Sequence, residues 1–149
     1  MPTYAKNKKV FHDYEVLKTL EAGLMLSGQE VKSVRDGQIN LKGSYVTFHK
    51  ETPMLTNAHI APYKFANLKG EYEPTRSRTL LFHKKEIAYL RGKIEEKGLT
   101  IVPLSVYTKG RHIKVEVAIV KGKKKYDKRQ SIKTREQKRE TARIMKEHQ

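Results

Sequence analysis

Residues 100–120 read TIVPLSVYTKGRHIKVEVAIV, two apolar runs joined by Lys109-Gly110-Arg111. The second run alternates, with Ile113, Val115, Val117 and Ile119 set against Lys114, Glu116, Ala118 and Val120. A period of two places one set on each face of a pleated strand, so the stretch predicts two antiparallel strands, 100–107 and 112–120, closed by a short glycine-containing turn. A long hairpin needs further strands to cover its apolar face. The rest of the chain supplies them.

Strand character recurs at residues 14–26, with Val16, Leu17, Leu20, Leu24 and Leu26, and at the short runs 45–48 and 54–60, with a turn expected at Thr52-Pro53. Two helices are legible. Gly28 to Arg35 sets Val31 and Val34 three apart, behind a possible Ser27 cap and before a Gly37 stop. His83 to Lys97 puts Ile87, Leu90 and Ile94 on one stripe and ends at Gly98. Strands dominate, one helix falls between early strands and one precedes the last hairpin. That order predicts a mainly β fold, a small antiparallel barrel of the oligonucleotide-binding (OB) type with two or three helices and a basic C-terminal tail.

Charge divides the chain and narrows its partners. Lys and Arg total 32 against 16 Asp and Glu, a net +16 on 149 residues, which attracts polyanions. Residues 121–149 carry 12 Lys and Arg against 4 acids, half of the excess in the last fifth of the chain. Three segments are therefore expected: a basic N-terminal arm at 1–9, an RNA-binding domain at 10–120, and a tail at 121–149 whose few apolar residues cannot offset the entropy of ordering it alone. A membrane is not the expected partner, because no apolar span or lipidation signal is visible and residues 1–10 lack the apolar core of a secretory leader. With no Cys there is neither a disulfide framework nor a thiolate metal site, which fits a reducing cytoplasm. A cytoplasmic monomer without cofactor is expected.

Catalytic patterns are missing. The six histidines, His12, His49, His59, His83, His112 and His148, include no His-x-x-x-His pair to bind a metal from one helical face. Neither a Gly-x-x-x-x-Gly-Lys phosphate loop nor a Gly-x-Ser-x-Gly elbow occurs. Glu71 with Glu73, and Glu95 with Glu96, lie in charge-rich contexts that read as solvated surface. No catalytic residue and no metal ligand is assigned.

Cations beside aromatic rings are the positive signal for RNA. Asn7, Lys8 and Lys9 precede Phe11, His12 and Tyr14; Lys32 and Arg35 share the first helix with Glu30; Arg76, Arg78, Lys84, Lys85, Arg91 and Lys93 flank the second. Such cations pair with phosphates, and exposed rings stack with unpaired bases. An evenly basic surface with no defined site is the plain alternative. Glu30 stands out within a basic face: it either accepts hydrogen bonds from base amines or forms an ordinary ion pair with a nearby cation.

The order of short motifs resembles a known family. Asn7-Lys8-Lys9, His12-Asp13-Tyr14, Glu21-Ala22-Gly23-Leu24, the segment from Gly28 to Ser33, Asn40-Leu41 and Ser44-Tyr45-Val46 are followed by Asn57-Ala58-His59-Ile60, Pro62-Tyr63, the segment from Arg76 to Ile87, Leu90-Arg91-Gly92-Lys93, Val102-Pro103-Leu104 and the run from Gly122 to Arg129. In this order they resemble the SmpB family, the SsrA-binding proteins of bacteria, over about residues 7–146. Tyr126 departs from the pattern, standing where the family usually has His.

The resemblance implies a fold and a task. The fold is an OB barrel that grips the tRNA-like domain of transfer-messenger RNA. The tail enters the empty mRNA channel of a stalled ribosome against small-subunit rRNA and folds there as a helix. Elongation factor Tu is met through the RNA, and peptide transfer belongs to the ribosome. It also implies that Asn7, Glu30, Lys32, Leu90 and Lys93 serve RNA binding or the surface presenting the RNA, with Lys8, Lys9, Lys123, Lys124 and Lys125 as further RNA-binding residues. Asp127, Lys128, Arg129, Lys133, Arg135, Arg139 and Arg143 then serve the ribosome. As a helix, the tail would align Arg135, Arg139, Arg143 and Lys146 in one cationic stripe, whose mutual repulsion at i and i+4 delays folding until a polyanion neutralises it. A ribosome-associated RNA chaperone of the OB fold is the nearest rival, and an RNA-processing enzyme a more distant one.

Overall fold

The computed structural model describes residues 3–65 and 72–122. The tail residues assigned above, Lys123 to Arg143, lie outside the described residues, as does Glu71.

The 100–120 stretch forms a longer hairpin than its alternation predicts, β8 (Leu99–Lys109) with β9 (His112–Gly122). Lys109 pairs with His112, leaving Gly110-Arg111 as a two-residue loop in which Gly110 takes φ +64°, a conformation that a Cβ disfavours. The remaining elements in chain order are β1 (Thr3–Lys6), α1 (Val10–Asp13), β2 (Tyr14–Leu24), α2 (Gly28–Arg35), β3 (Ile39–Asn40), β4 (Tyr45–His49), β5 (Thr52–Thr56), β6 (His59–Ile60), β7 (Arg78–Leu81) and α3 (Lys84–Ile94). Seven strands make one antiparallel sheet ordered β1-β8-β9-β2-β7-β5-β4, and β3 pairs with β6 separately. β1 and β4 are its edges, with no ladder joining them, so the sheet is open where the sequence predicts a closed barrel.

The hairpin's two faces bury different things. Ile113, Val115, Val117 and Ile119 enter the main core with Val34, Val46, Leu55, Leu90, Ile101 and Val106, each such burial being worth about 1.5–3 kcal/mol. On the opposite face, Ala118 and Val120 join Val102, Leu104 and Val10 of α1 in a second, smaller core. This explains why the outward positions of β9 turn apolar beyond Glu116. α1 is a helix the sequence reading did not separate from its surroundings, being a single turn.

Three further expectations change. Thr3–Lys6, read as a free arm, is a strand on β8, because Asn7 latches it: its backbone N–H donates to Leu104 O at 2.7 Å and its Nδ2 to Pro103 O at 3.3 Å. The acceptors lie where the β8 register shifts between Pro103 and Ser105; proline donates no ladder bond, and strands accommodate it at such bulges. Thr52-Pro53 is not a turn but the start of β5, since the chain reverses at Lys50, which takes φ 59°. Residues 78–81, read only as part of a basic stretch, are the interior strand β7 between β2 and β5. Gly23 permits that pairing: a Cβ there would come within 3.3 Å of Leu81 Cβ.

Candidate nucleic-acid interface

α2 begins as its sequence predicts. Ser27 Oγ accepts from Glu30 N–H at 3.2 Å, and Glu30 Oε1 accepts from Ser27 N–H at 3.0 Å, a reciprocal cap that satisfies two N–H groups at the helix start. The same carboxylate is also the acceptor at the centre of a buried cation network. Arg76 Nε donates to Glu30 Oε2 at 3.2 Å and Arg76 Nη2 to Glu30 Oε1; Arg78 Nε donates to Oε2 at 2.6 Å. Arg78 spends its other nitrogens on Ala58 O at 2.8 Å and Pro74 O at 2.9 Å, and Tyr72 Oη donates to Ile60 O at 2.8 Å. No buried side-chain nitrogen or oxygen among the described residues lacks a partner.

Burial alone would raise the Glu30 carboxyl, but the hydrogen bonds from Arg76, Ser27 N–H and Arg78 outweigh it and hold it at about 2. It is ionised at any physiological pH. Burial and the Glu30 charge push the Tyr72 phenol up, so it remains a donor.

This geometry corrects two assignments. Glu30 is 1% exposed and Arg78 0%, so neither touches RNA from the surface; of the two readings left open for Glu30, the ion pair is the observed one, and its partners come from residues 46 and 48 positions away. Arg76, whose side chain is 43% exposed, is the one member of the network that presents charge to solvent. Leu90 is likewise in the core at 0% exposure, so it supports α3 from beneath.

The exposed cations gather around rings. On α3, Tyr89 has Lys18 Nζ from β2 at 4.4 Å and Lys93 Nζ at 5.6 Å from its ring centroid, cation–π distances; Lys93 also reaches Glu96 at 3.2 Å. Arg91 donates to Lys50 O at 3.0 Å and so ties α3 to the β4–β5 turn. Beside α2, Lys32 Nζ stands over the Tyr63 ring at 5.6 Å, Lys64 Nζ over Phe65 at 5.0 Å, and the two rings meet edge to face at 5.6 Å. Lys8 and Lys9 are exposed, and Lys9 lines a cavity of about 430 Å³ with Asn7, Tyr14, Lys42 and Tyr45. Asn7 itself is mainly a structural latch. The sequence reading named Lys32 and Lys93 but not Lys18 or Lys64, and gave no role to Tyr63, Phe65, Tyr72 or Tyr89, although the alternation Tyr63-Lys64-Phe65 is visible in the chain. Among the described residues no three His, Asp or Glu cluster as metal ligands, and no helix is long and apolar enough to cross a membrane.

The SmpB protein family model matches residues 4–147. An SsrA-binding protein of Sulfurihydrogenibium sp. (strain YO3AOP1) is 54% identical over 95% of this chain and 93% of its own length; one from Persephonella marina is 48% identical over 95% and 93%. A chain of the solved structure "tmRNA-SmpB: a journey to the center of the bacterial ribosome" is 43% identical and superposes with a TM-score of 0.68, covering 84% of this chain and 87% of that one. With a match running through both the described domain and the tail, the chain belongs to the SmpB family.

Proposed function

We propose that this protein binds the tRNA-like domain of transfer-messenger RNA and delivers it to stalled ribosomes for trans-translation. The observation that carries the reading is the match to SmpB proteins over residues 4–147, which includes the β-sheet domain with its cation–ring clusters and the basic tail together. The family's solved relative, named with tmRNA and the bacterial ribosome, supports both partners. The domain is the RNA grip: Lys8, Lys9, Lys32, Arg76 and Lys93 meet phosphates, and Tyr63, Phe65 and Tyr89 offer faces to unpaired bases. Glu30 and Leu90 act from the interior, Glu30 by fixing Arg76 and Leu90 by seating α3.

The tail is the ribosomal part. Lys123, Lys124 and Lys125 continue the RNA contact, and Asp127, Lys128, Arg129, Lys133, Arg135, Arg139 and Arg143 lie along the empty mRNA channel against small-subunit rRNA. The protein works in the bacterial cytoplasm as a monomer, meets elongation factor Tu through the RNA, and performs no reaction itself. The open seven-stranded sheet is an OB-type barrel whose last seam, β1 to β4, is unzipped; the run of long strands with α3 ahead of the final hairpin supports that type. Copurified RNA tests the function. One discrete transfer-messenger RNA species is the expected result, mixed RNA would favour a chaperone, and cleavage products would favour a nuclease.

A further inference from the structure

Between the end of α2 and residues 62–64 lies a cavity of about 490 Å³ lined by Ser33, Asp36, Gln38, Pro62, Tyr63 and Lys64. Its walls are tied together from both sides. Ser33 Oγ donates to Ala61 O at 2.6 Å, Ala61 N–H to Gln38 O at 3.0 Å and Gln38 N–H to Ser33 O at 3.0 Å, so the helix end and the loop hold a fixed separation. The volume is within the range of small-ligand sites. One wall is an aromatic ring, Tyr63, with Lys32 standing over it at 5.6 Å.

Asp36 is the unexpected residue. It is the C-terminal cap of α2, where the helix dipole disfavours negative charge, and among the described residues its carboxylate makes neither a hydrogen bond nor an ion pair. The Gln38 amide is also unengaged there. Asp36 is exposed and uses its carboxylate on no contact within the described residues, so it is open to a ligand at the mouth of this cavity, on a basic surface where it repels phosphate. A carboxylate accepts two hydrogen bonds in parallel, and it matches a base edge that carries two adjacent donors. Guanine alone has that edge, with N1–H beside the N2 amine. Adenine, cytosine and uracil each place an acceptor next to their donor.

We propose that this cavity is a specific pocket for one unpaired guanine of the RNA, resting on the transfer-messenger RNA reading above. The base stacks against Tyr63, its Watson–Crick edge meets the Asp36 carboxylate, the Gln38 amide faces its remaining edge, and Lys32 and Lys64 neutralise the flanking phosphates.

The test uses the full-length chain, transfer-messenger RNA and kethoxal, which modifies N1 and N2 of unpaired guanines. The wild type protects a guanine that becomes reactive again in complexes of Asp36→Asn and of Tyr63→Ala, while Tyr63→Phe retains the protection. Tyr63→Ala lowers affinity by about tenfold, as expected for one base–aromatic stack. Asp36→Asn lowers it by about fivefold or more, the loss of one charge-assisted hydrogen bond. The sign for Asp36 is decisive, because on a merely basic surface removing a negative charge strengthens RNA binding. Tight binding of transfer-messenger RNA by Asp36→Asn, or the lack of any guanine whose protection depends on Asp36, would overturn the pocket and leave the parent function standing. Failure of the wild type to bind transfer-messenger RNA would overturn both.

Discussion

Glu30→Ala tests the interior network most directly, and its cost follows from two independent routes. The first is removal of one partner from a buried pair: Arg78 is 0% exposed, and stranding a buried charge costs about 3–5 kcal/mol. The second is linkage. A carboxyl held at about 2 against an ordinary 4.5 contributes on the order of 3 kcal/mol at neutral pH. The routes agree on about 3–5 kcal/mol, or a fall in Tm of about 10–20 °C for a domain of this size. Because the folded-state pKa is depressed, the contribution is complete above pH 4.5 and disappears as pH falls toward about 2. The gap between parent and variant should therefore be widest near pH 7 and shrink below pH 4. Urea unfolding at both pH values, with the slope m unchanged, measures it. Adding Arg78→Met to Glu30→Ala should recover only part of the loss, since Ala58 O and Pro74 O lose the donor that satisfies them. At temperatures where both fold, Glu30→Ala should also weaken RNA binding by about 1–3 kcal/mol by releasing Arg76, and Arg76→Ala should add nothing further. An Ala variant within 1 kcal/mol of the parent at pH 7 would refute the assignment of Glu30 as the centre of the network.

Leu90→Ala should cost about 2–5 kcal/mol of stability by opening a cavity under α3 while leaving the affinity of the folded fraction for RNA close to normal; a stable variant with lost affinity would put Leu90 on the surface after all. A chain ended after Lys125 should bind transfer-messenger RNA nearly as well as the full chain and fail to support peptide tagging in cells. Cutting at residue 120 instead would remove Lys121 and Gly122, which pair with Leu99 and Tyr14, and so confuse folding with function. Replacing Arg139 and Arg143 together by Glu should abolish tagging, whereas replacing both by Lys should retain most of it, because the rRNA attraction depends first on charge; equal tagging by both would remove the cationic stripe from the mechanism.

What could be read in the chain depended on how locally each feature is determined. α2 begins and ends where Ser27 and Gly37 predict, because such signals lie within a residue or two of the helix they bound. The β8–β9 hairpin was legible for the same reason, its turn and its alternation lying within one stretch. β7 was not: residues 78–81 carry Arg78 at a core position, and an arginine reads as surface until its partner is known. That partner, Glu30, is 48 positions away. The same distance hid the role of Glu30, which sequence left between a base acceptor and an ion pair. Thr3–Lys6 reads as polar arm because a strand pairing on an edge gains most from backbone hydrogen bonds, and backbone carries no sequence signal. That the sheet stays open, with β1 and β4 as its edges, has no sequence signature either.

The sheet register makes one more connection between the two basic ends of the chain. Gly122, the last residue of β9, pairs with Tyr14, the first residue of β2, and Tyr14 follows directly on α1, whose N-terminal cap is Lys9. Paired antiparallel residues stand about 5 Å apart. Gly122, which Lys123-Lys124-Lys125 follow in sequence, therefore stands beside the segment carrying Lys8 and Lys9, although more than a hundred residues separate the two in the chain. Val10 and Val120 bury themselves in the same small core, so the two segments are anchored to each other as well as adjacent. RNA bound along Lys8 and Lys9 should therefore engage the lysines that follow Gly122 as well, with counterions released from both together. Neutralising Lys8 and Lys9 to Ala should then flatten the salt dependence of RNA binding by about as much as neutralising Lys123 and Lys124. The four changes combined should fall short of the sum, because neighbouring charges on one phosphate run share their counterions. Fully additive slopes would mean that the two ends meet different parts of the RNA.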